Sequence, residues 1–246
     1  MSKGIGKFLK EFNAVIKDCE NMCSIARDSE LQAAACRKLE EKILEISEEK
    51  RRAIENQEED YANCLLGCTC AARAILAELQ MWLLLKQEKP ENAWDKLITA
   101  QDSLLAAIRA HRGFSHLVEP VKRLHVIEEL LFPPQVFISA GLIVRTQVCS
   151  ICSNDYEDCD HLAGRPYMGK FCVIIAGDLE ADHVATVERP ADKRCRIINF
   201  ETEEGCRNRM TWKLEKRNNA ELPEEKRSDP SIESGFKCEA IIMRAD

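Results

Sequence analysis

The sequence predicts an α+β fold, in which an N-terminal helical bundle with a long helix precedes a small β-rich domain. Apolar residues recur with helical spacing from the N-terminus to about residue 131. That spacing stops at the double proline Pro133-Pro134. The apolar segments that follow are short and rich in β-branched residues, as strands are. We therefore expect a helical, partly coiled-coil domain at 1–132 and a β-rich domain at 135–246.

The first predicted helix covers residues 5–27, and a longer helical run follows it. Ser29 and Gln32 have the spacing of a capping box, which predicts that Ser29 caps the second helix. No proline occurs between there and Lys89, so an unbroken helix would be roughly 90 Å long. Because so long a helix cannot be covered by its neighbours, we expect a bend, either near 56–60 or at Gly67.

The middle of this run changes from charged to apolar. Residues 40–60 are mostly Glu, Lys and Arg, which predicts a solvated, projecting or coiled-coil segment. Residues 64–85 are almost long enough and apolar enough to cross a bilayer. Arg73 and Glu78 lie near the middle of that segment, however, and a central charge is costly in lipid. The prediction is a buried helix of a soluble bundle, not a membrane span.

Two shorter helices complete the predicted bundle. Pro90 suits the first turn of a helix, and residues 93–112 have a clear amphipathic pattern. Gly113 is expected to end that helix, and a last helix is predicted at 119–131.

The second half is predicted to contain short strands and one mobile loop. The loop, at about 215–235, is polar and low in apolar residues. The predicted strands are 136–147, 171–175, 183–188, 195–200 and 238–243.

A group of Cys and His residues near the start of the β-rich domain has the spacing of zinc ligands. Cys149 and Cys152 form a C-x2-C knuckle, and Cys159, His161 and Cys172 follow within one small loop. We expect these residues to bind one structural Zn²⁺, with Cys149, Cys152 and Cys172 as three ligands. The fourth is either Cys159 or His161, because residues two apart are not expected to reach one ion together. No metalloprotease spacing accompanies the cluster.

Charge and cysteine content restrict the partners and the compartment. The chain has 42 acidic and 35 basic residues, a formal net charge of −7, which argues against a general affinity for nucleic acid. The N-terminus has no apolar segment like that of a signal peptide. Most of the 13 cysteines fall within helical patterns, where they resemble small buried residues. We expect a cytoplasmic protein with reduced thiols.

Three segments around the Cys/His cluster carry a resemblance to a known family. They are Phe137-Ile-Ser-Ala-Gly-Leu142, the insert CSICSNDYEDCDHLAGRPYMGKFC at 149–172, and VATVERPAD at 184–192. Together they resemble the C-terminal part of phage prohead (capsid-maturation) protease-like proteins, over about 136–197. The resemblance implies phage-related biology and places the family's serine nucleophile at Ser139. The partner histidine of that family belongs to an upstream β-domain, a position that helices occupy here.

A second enzymatic alternative comes from Arg109 and His116. Their R-x6-H spacing is like that of HEPN-type ribonucleases, in which Arg stabilises phosphate charge and His transfers a proton. The pairs Cys19/Cys23 and Cys64/Cys68 lie one helical turn apart and are interpreted as buried thiols. Asp178, Glu180, Asp182 and His183 are interpreted as a solvated acidic loop.

The leading functional hypothesis is a non-catalytic, zinc-stabilised protein-interaction or sensor module of a phage, a prophage or an antiphage defence. We expect a protein partner for the β-rich half and a homo-oligomer through the helical half. A prohead-type serine protease that uses Ser139 and a ribonuclease that uses Arg109 and His116 are the alternatives.

Overall fold

The computed structural model describes residues 3–215, which form helices in the first half and small sheets in the second, as predicted. The helices are α1 (Lys3–Glu20), α2 (Ser29–Glu55), α3 (Glu59–Lys86), α4 (Pro90–Ala110) and α5 (Val118–Leu131), with a 3₁₀ helix at Arg112–Leu117.

The predicted long helical run is divided into two helices. α2 ends at Glu55, and α3 begins at Glu59 after a turn in which Gln57 has a φ of 58°. The break therefore falls at the first of the two expected places and not at Gly67. Because α2 packs along α3, its charged middle segment is not a free projection. The apolar residues Ile46 and Ala53 of this segment are buried.

The predicted capping box at the start of α2 is wrong by one residue. Asp28 is the N-cap, and its carboxylate accepts hydrogen bonds from the backbone N–H groups of Glu30 and Leu31. Gln32 does not reach back to the cap. Its buried amide donates to the carbonyl groups of Met22 and Ser24 instead, and it accepts a 2.7 Å bond from the Lys86 ammonium.

Helix α3 is the centre of the bundle. It packs against α2 and α4, and it is buried on nearly every side, which explains its nearly uniform apolar character. In length and composition it could cross a membrane, but 67% of its most apolar window is buried inside the protein. That burial is consistent with the predicted core helix of a soluble protein. Gly67 is required here, because a Cβ at this position would lie 2.3 Å from the Phe114 ring.

The acidic residue in the middle of α3 is neutralised within the bundle. The Glu78 side chain is only 4% exposed, and both of its carboxylate oxygens accept from the Arg123 guanidinium of α5, at 2.7 and 2.6 Å. The Trp82 indole N–H donates to the same carboxylate. A buried carboxylate is tolerated because this bidentate pair and the indole satisfy it.

The second half forms three small sheets. β1 pairs with β4, β2 with β3, and β5, β6 and β7 form a three-stranded sheet. Residues 183–188, predicted as a separate strand, lie mostly within the long β4, and residues 178–183 are strand instead of loop. The predicted strand at 238–243 and residues 216–235 of the predicted loop lie outside the described residues. The strands are β1 (Phe137–Cys149), β2 (Pro166–Tyr167), β3 (Lys170–Phe171), β4 (Ile174–Val187), β5 (Asn199–Thr202), β6 (Gly205–Asn208) and β7 (Leu214–Glu215).

The described chain forms two compact units, which do not follow the predicted division at 132/135 throughout. The first unit contains the helices and residues 142–181, and therefore the whole Cys/His insert. The second contains residues 132–141 and the described residues from Asp182 onward. In the second unit, the start of β1 bonds to the segment before β5, from Ile138 to Cys195 and from Ile197 to Val136.

Candidate metal centre

The knuckle at Cys149 is a tight turn that directly follows β1. The backbone N–H of Cys149 donates to Asn154, and that of Ser153 donates back to Cys149, with a φ of 61° at Ser153. The N–H of Ile151 points at the Cys149 sulfur, 3.4 Å away. The turn therefore presents Cys149 and Cys152 toward a common point, as the C-x2-C spacing predicts.

Cys159 and His161 face the same point as the knuckle. One ligand atom each from Cys149, Cys152, Cys159 and His161 lies within 4.8 Å of the others. The Cys159 sulfur is 3.6 Å from Nδ1 of His161 and also accepts from the His161 backbone N–H at 3.3 Å. This local turn brings both residues to one position, contrary to the expectation that residues two apart would not reach one site together. The His161 ring is further held by an edge contact with Tyr167.

The hairpin of β2 and β3 brings Cys172 to the same cluster. The N–H of Cys172 donates to Arg165, and its carbonyl accepts from Gly164. Gly164 and Gly169 have φ values of 81° and 73°, which glycine adopts without strain. The Cys172 sulfur consequently lies 3.7 Å from that of Cys149, and both residues are fully buried. Cys172 thus lies against Cys149, beside the group of four donors that contains Cys149, Cys152, Cys159 and His161.

The thiols of the cluster differ in acidity. Burial acts to raise the pKa of Cys149, but the N–H groups of Cys152 and Ile151 and the thiols of Cys159 and Cys152 outweigh it and lower that pKa to about 6. Burial raises the pKa of Cys159 to about 11, and its bonds to Cys149 and Cys152 act in the same direction. Cys149 is thus favoured as a thiolate, the form that binds metals.

The separations between donors fit a tetrahedral metal site. Thiolates about 2.3 Å from a central ion stand roughly 3.8 Å apart, and a thiolate and an imidazole roughly 3.5 Å apart. Within the group of four, the Cys159–His161 distance of 3.6 Å matches the second value, and the Cys149–Cys172 distance of 3.7 Å beside the group matches the first. The group of Cys149, Cys152, Cys159 and His161 could therefore hold a metal ion, with three sulfurs and one imidazole.

The insert also docks on the helices, an arrangement that no local sequence pattern indicates. The N–H of Gly169 donates to the Asn63 side chain of α3 at 2.8 Å, and the N–H of Met168 donates to Glu59 at 3.4 Å. The Arg109 guanidinium of α4 lies over the Phe171 ring, 5.9 Å from its centre. The metal cluster thus belongs to the helical unit.

Ser139 lies on β1, in the second unit, where it makes no hydrogen bond to a histidine of the described chain. The His183 ring of β4 covers Gly141, occupying the space of a Cβ there. Residues 139 and 141 share one face of the strand. His183 is bonded to its neighbour Asp182 at 3.0 Å instead.

Arg109 and His116 have different neighbours. The bundle helix ends at Ala110, earlier than the predicted end at Gly113, because His111 is extended and its ring accepts from the Gly113 N–H. His116 lies in the following 3₁₀ helix with its ring against the Gly113 carbonyl, whereas Arg109 stacks on Phe171. The helical thiols Cys19 and Cys68 are buried as predicted, while Cys23 and Cys64 are half-buried.

Comparison of the chain with protein-family models, with curated protein sequences and with solved structures finds no match.

Proposed function

We propose that this protein is a non-catalytic, zinc-stabilised interaction module that binds an extended segment of a protein partner. The observation that carries the proposal is the part of the β1–β4 ribbon in the first unit, residues 142–149 and 174–181, here called the proximal ribbon. Among the described residues the two strands pair with each other, and only the end of β1 is also bonded on its outer side, where Val148 bridges Asp155 and the Gln147 carbonyl accepts from Tyr156. Residues 142–146 and 174–181 therefore each have one edge of backbone N–H and carbonyl groups that no described residue pairs with.

Neither face of the proximal ribbon is covered by other parts of residues 3–215. Successive residues of a strand point to opposite faces. Leu142 and its neighbour Ile143 are 50% and 45% exposed, and Ile174 and Ile175 are 39% and 54% exposed. A two-stranded ribbon is marginally stable in water by itself. Apolar side chains beside free edges favour the addition of a strand from another protein, which supplies backbone hydrogen bonds and covers the exposed surface.

The Cys/His cluster stabilises the base of this ribbon. Cys149 is the last residue of β1, and Cys172 lies two residues before β4. Ser150 and Val173 hold the two strands together beyond their ends. The Ser150 N–H donates to the Val173 carbonyl, and the Val173 N–H donates to the Ser150 hydroxyl. Zinc is the proposed ion, because a cluster rich in thiolates with tetrahedral spacing is typical of structural zinc. Four protein ligands leave no open position, so the role is structural. Cys172, which lies beside the group of four, remains an alternative ligand.

A test can use a photo-crosslinking residue at position 175, with position 130 as the control. Leu130 lies on α5 and is 77% exposed, so the label is accessible at both positions. We expect a discrete crosslinked protein, or a second copy of this chain, from position 175 only. Ile143→Lys should abolish binding of that purified protein. Equal crosslinking from both positions would contradict the proposal.

The enzymatic alternatives and the phage connection remain open to separate tests. Loss of a proteolytic activity in Ser139→Ala, or of RNA cleavage in His116→Ala, with an unchanged metal content would replace the binding role by catalysis. Phage-related biology and a homo-oligomer through the helical half are further proposals. The first rests on the sequence resemblance, and the second on exposed apolar residues of α2 such as Leu31 and Leu44.

A further inference from the structure

A second feature, independent of the metal centre, is a group of four basic side chains from four segments of the first unit. Lys50 belongs to α2, Arg73 to α3, Arg109 to α4 and Lys170 to β3. We call them the basic cluster. Several other basic residues of α2 pair with acidic side chains, as Arg51 does with Glu48 and Glu55. Within residues 3–215, no carboxylate lies within ion-pair distance of any of the four.

The hairpin of the Cys/His insert brings these cations together. The Lys50 stem packs on Gly169, where an added Cβ would meet it at 3.0 Å. Lys170 follows Gly169 directly. The next residue, Phe171, has the Arg109 guanidinium stacked over its ring. Arg73 is one helical turn from Cys70, which is a buried thiol. The positive charges of Arg73, Lys50 and Arg109 all act to lower the pKa of that thiol, so all three lie near it.

Unpaired cations at this density repel one another. The pKa of Lys50 is lowered, first by burial and then by the positive charge of Arg73, which indicates that its charged form is disfavoured. In a chain with a net charge of −7, such a cluster without counter-charges is unexpected. A bound anion would remove the repulsion and the desolvation cost together.

We propose that the basic cluster binds the phosphate groups of a phosphate-bearing ligand. Two guanidinium groups offer paired N–H donors that match phosphate oxygens, and two ammonium groups add point charges. Four cations suit a polyvalent anion better than a single carboxylate. Free polyphosphates and nucleic-acid backbones are two sources of the same chemistry.

The test is calorimetric titration of the full-length protein with inorganic pyrophosphate and, separately, with a single-stranded RNA 20-mer. We expect Arg73→Gln and Arg109→Gln each to weaken binding by about tenfold or more, since a hydrogen bond to a charged group is worth roughly 1.5–3 kcal/mol. Arg51→Gln is the matched control, because it removes a neighbouring charge that is already paired. It should change the affinity less than about twofold.

The two ligands separate the sources. Cluster-dependent binding of pyrophosphate indicates a free polyphosphate, and cluster-dependent binding of RNA alone indicates a nucleic-acid backbone. Lys170→Gln, on an exposed side chain, provides a second variant if an arginine variant fails to fold. The proposal is overturned if neither ligand binds, or if the affinity is the same in the cluster variants and in Arg51→Gln.

Discussion

The docking of the Cys/His insert on the bundle predicts different costs for two similar glycine substitutions. Gly164 and Gly169 lie in the same hairpin region and both have left-handed backbone angles, with φ of 81° and 73°. An added Cβ at Gly164 meets nothing within 4 Å. At Gly169 it would lie 3.2 Å from the Ala62 carbonyl oxygen and 3.0 Å from the Lys50 stem. Gly164→Ala is therefore the matched control for Gly169→Ala.

The expected magnitudes follow from these surroundings. Both alanine variants incur the left-handed penalty, roughly 1–2 kcal/mol. The flexible Lys50 stem can move away from a Cβ at 169, but the Ala62 carbonyl is fixed within α3. The turn must therefore shift outward, which weakens the 2.8 Å bond from Gly169 to Asn63, a loss of about 1 kcal/mol. Gly169→Ala should cost about 1 kcal/mol more than Gly164→Ala.

Native-state hydrogen exchange measures this difference most directly. The amide of Cys172, which bonds to Arg165 within the hairpin, should exchange about fivefold faster in Gly169→Ala than in Gly164→Ala, since 1 kcal/mol is a factor of about five. Equal rates in the two variants would refute the docking of the hairpin on α3.

Two further predictions concern the helical bundle. Gly67→Ala should lower the free energy of unfolding by about 1–3 kcal/mol because its Cβ would lie 2.3 Å from the Phe114 ring. Gly6→Ala, in α1 with open space around it, should be neutral or stabilising by up to about 1 kcal/mol; thermal unfolding compares the two, and a stable Gly67→Ala would contradict the close packing. Arg123→Met should destabilise by about 2–4 kcal/mol in urea unfolding because it leaves the buried Glu78 carboxylate without its bidentate partner. The double variant with Glu78→Leu should recover part of that loss, and no recovery would show that the pair is not coupled.

The sequence predicts the helical half well because its helices are long and strongly periodic. The starts at Pro90 and near Glu119 are confirmed to within one residue. The cap at Asp28 was missed because Ser29 and Gln32 mimic a capping box, while the Gln32 amide is used to hold the preceding loop and Lys86. The extended conformation of His111, which ends α4 early, depends on a local ring-to-backbone bond that periodicity cannot reveal.

The cluster of Cys and His donors was predictable from spacing, and four of the five predicted residues form a group that could hold a metal ion. Cys172 lies against Cys149 beside that group. The rest of the site depends on contacts between distant parts of the chain. The bond from Gly169 to Asn63 joins residues 106 apart, and the basic cluster gathers four segments. No local pattern signals either arrangement, because each residue alone resembles an ordinary solvated side chain.

The zinc content of the purified full-length protein tests the central claim most directly. Elemental analysis after extensive dialysis should give one zinc per chain, and Cys206→Ser, which changes a thiol of β6 that is not part of the cluster, should keep it. Cys149→Ser should lose the metal, since Cys149 contacts the other cluster thiols. A wild-type protein without zinc, or a Cys149→Ser variant that retains one zinc per chain, would contradict the account.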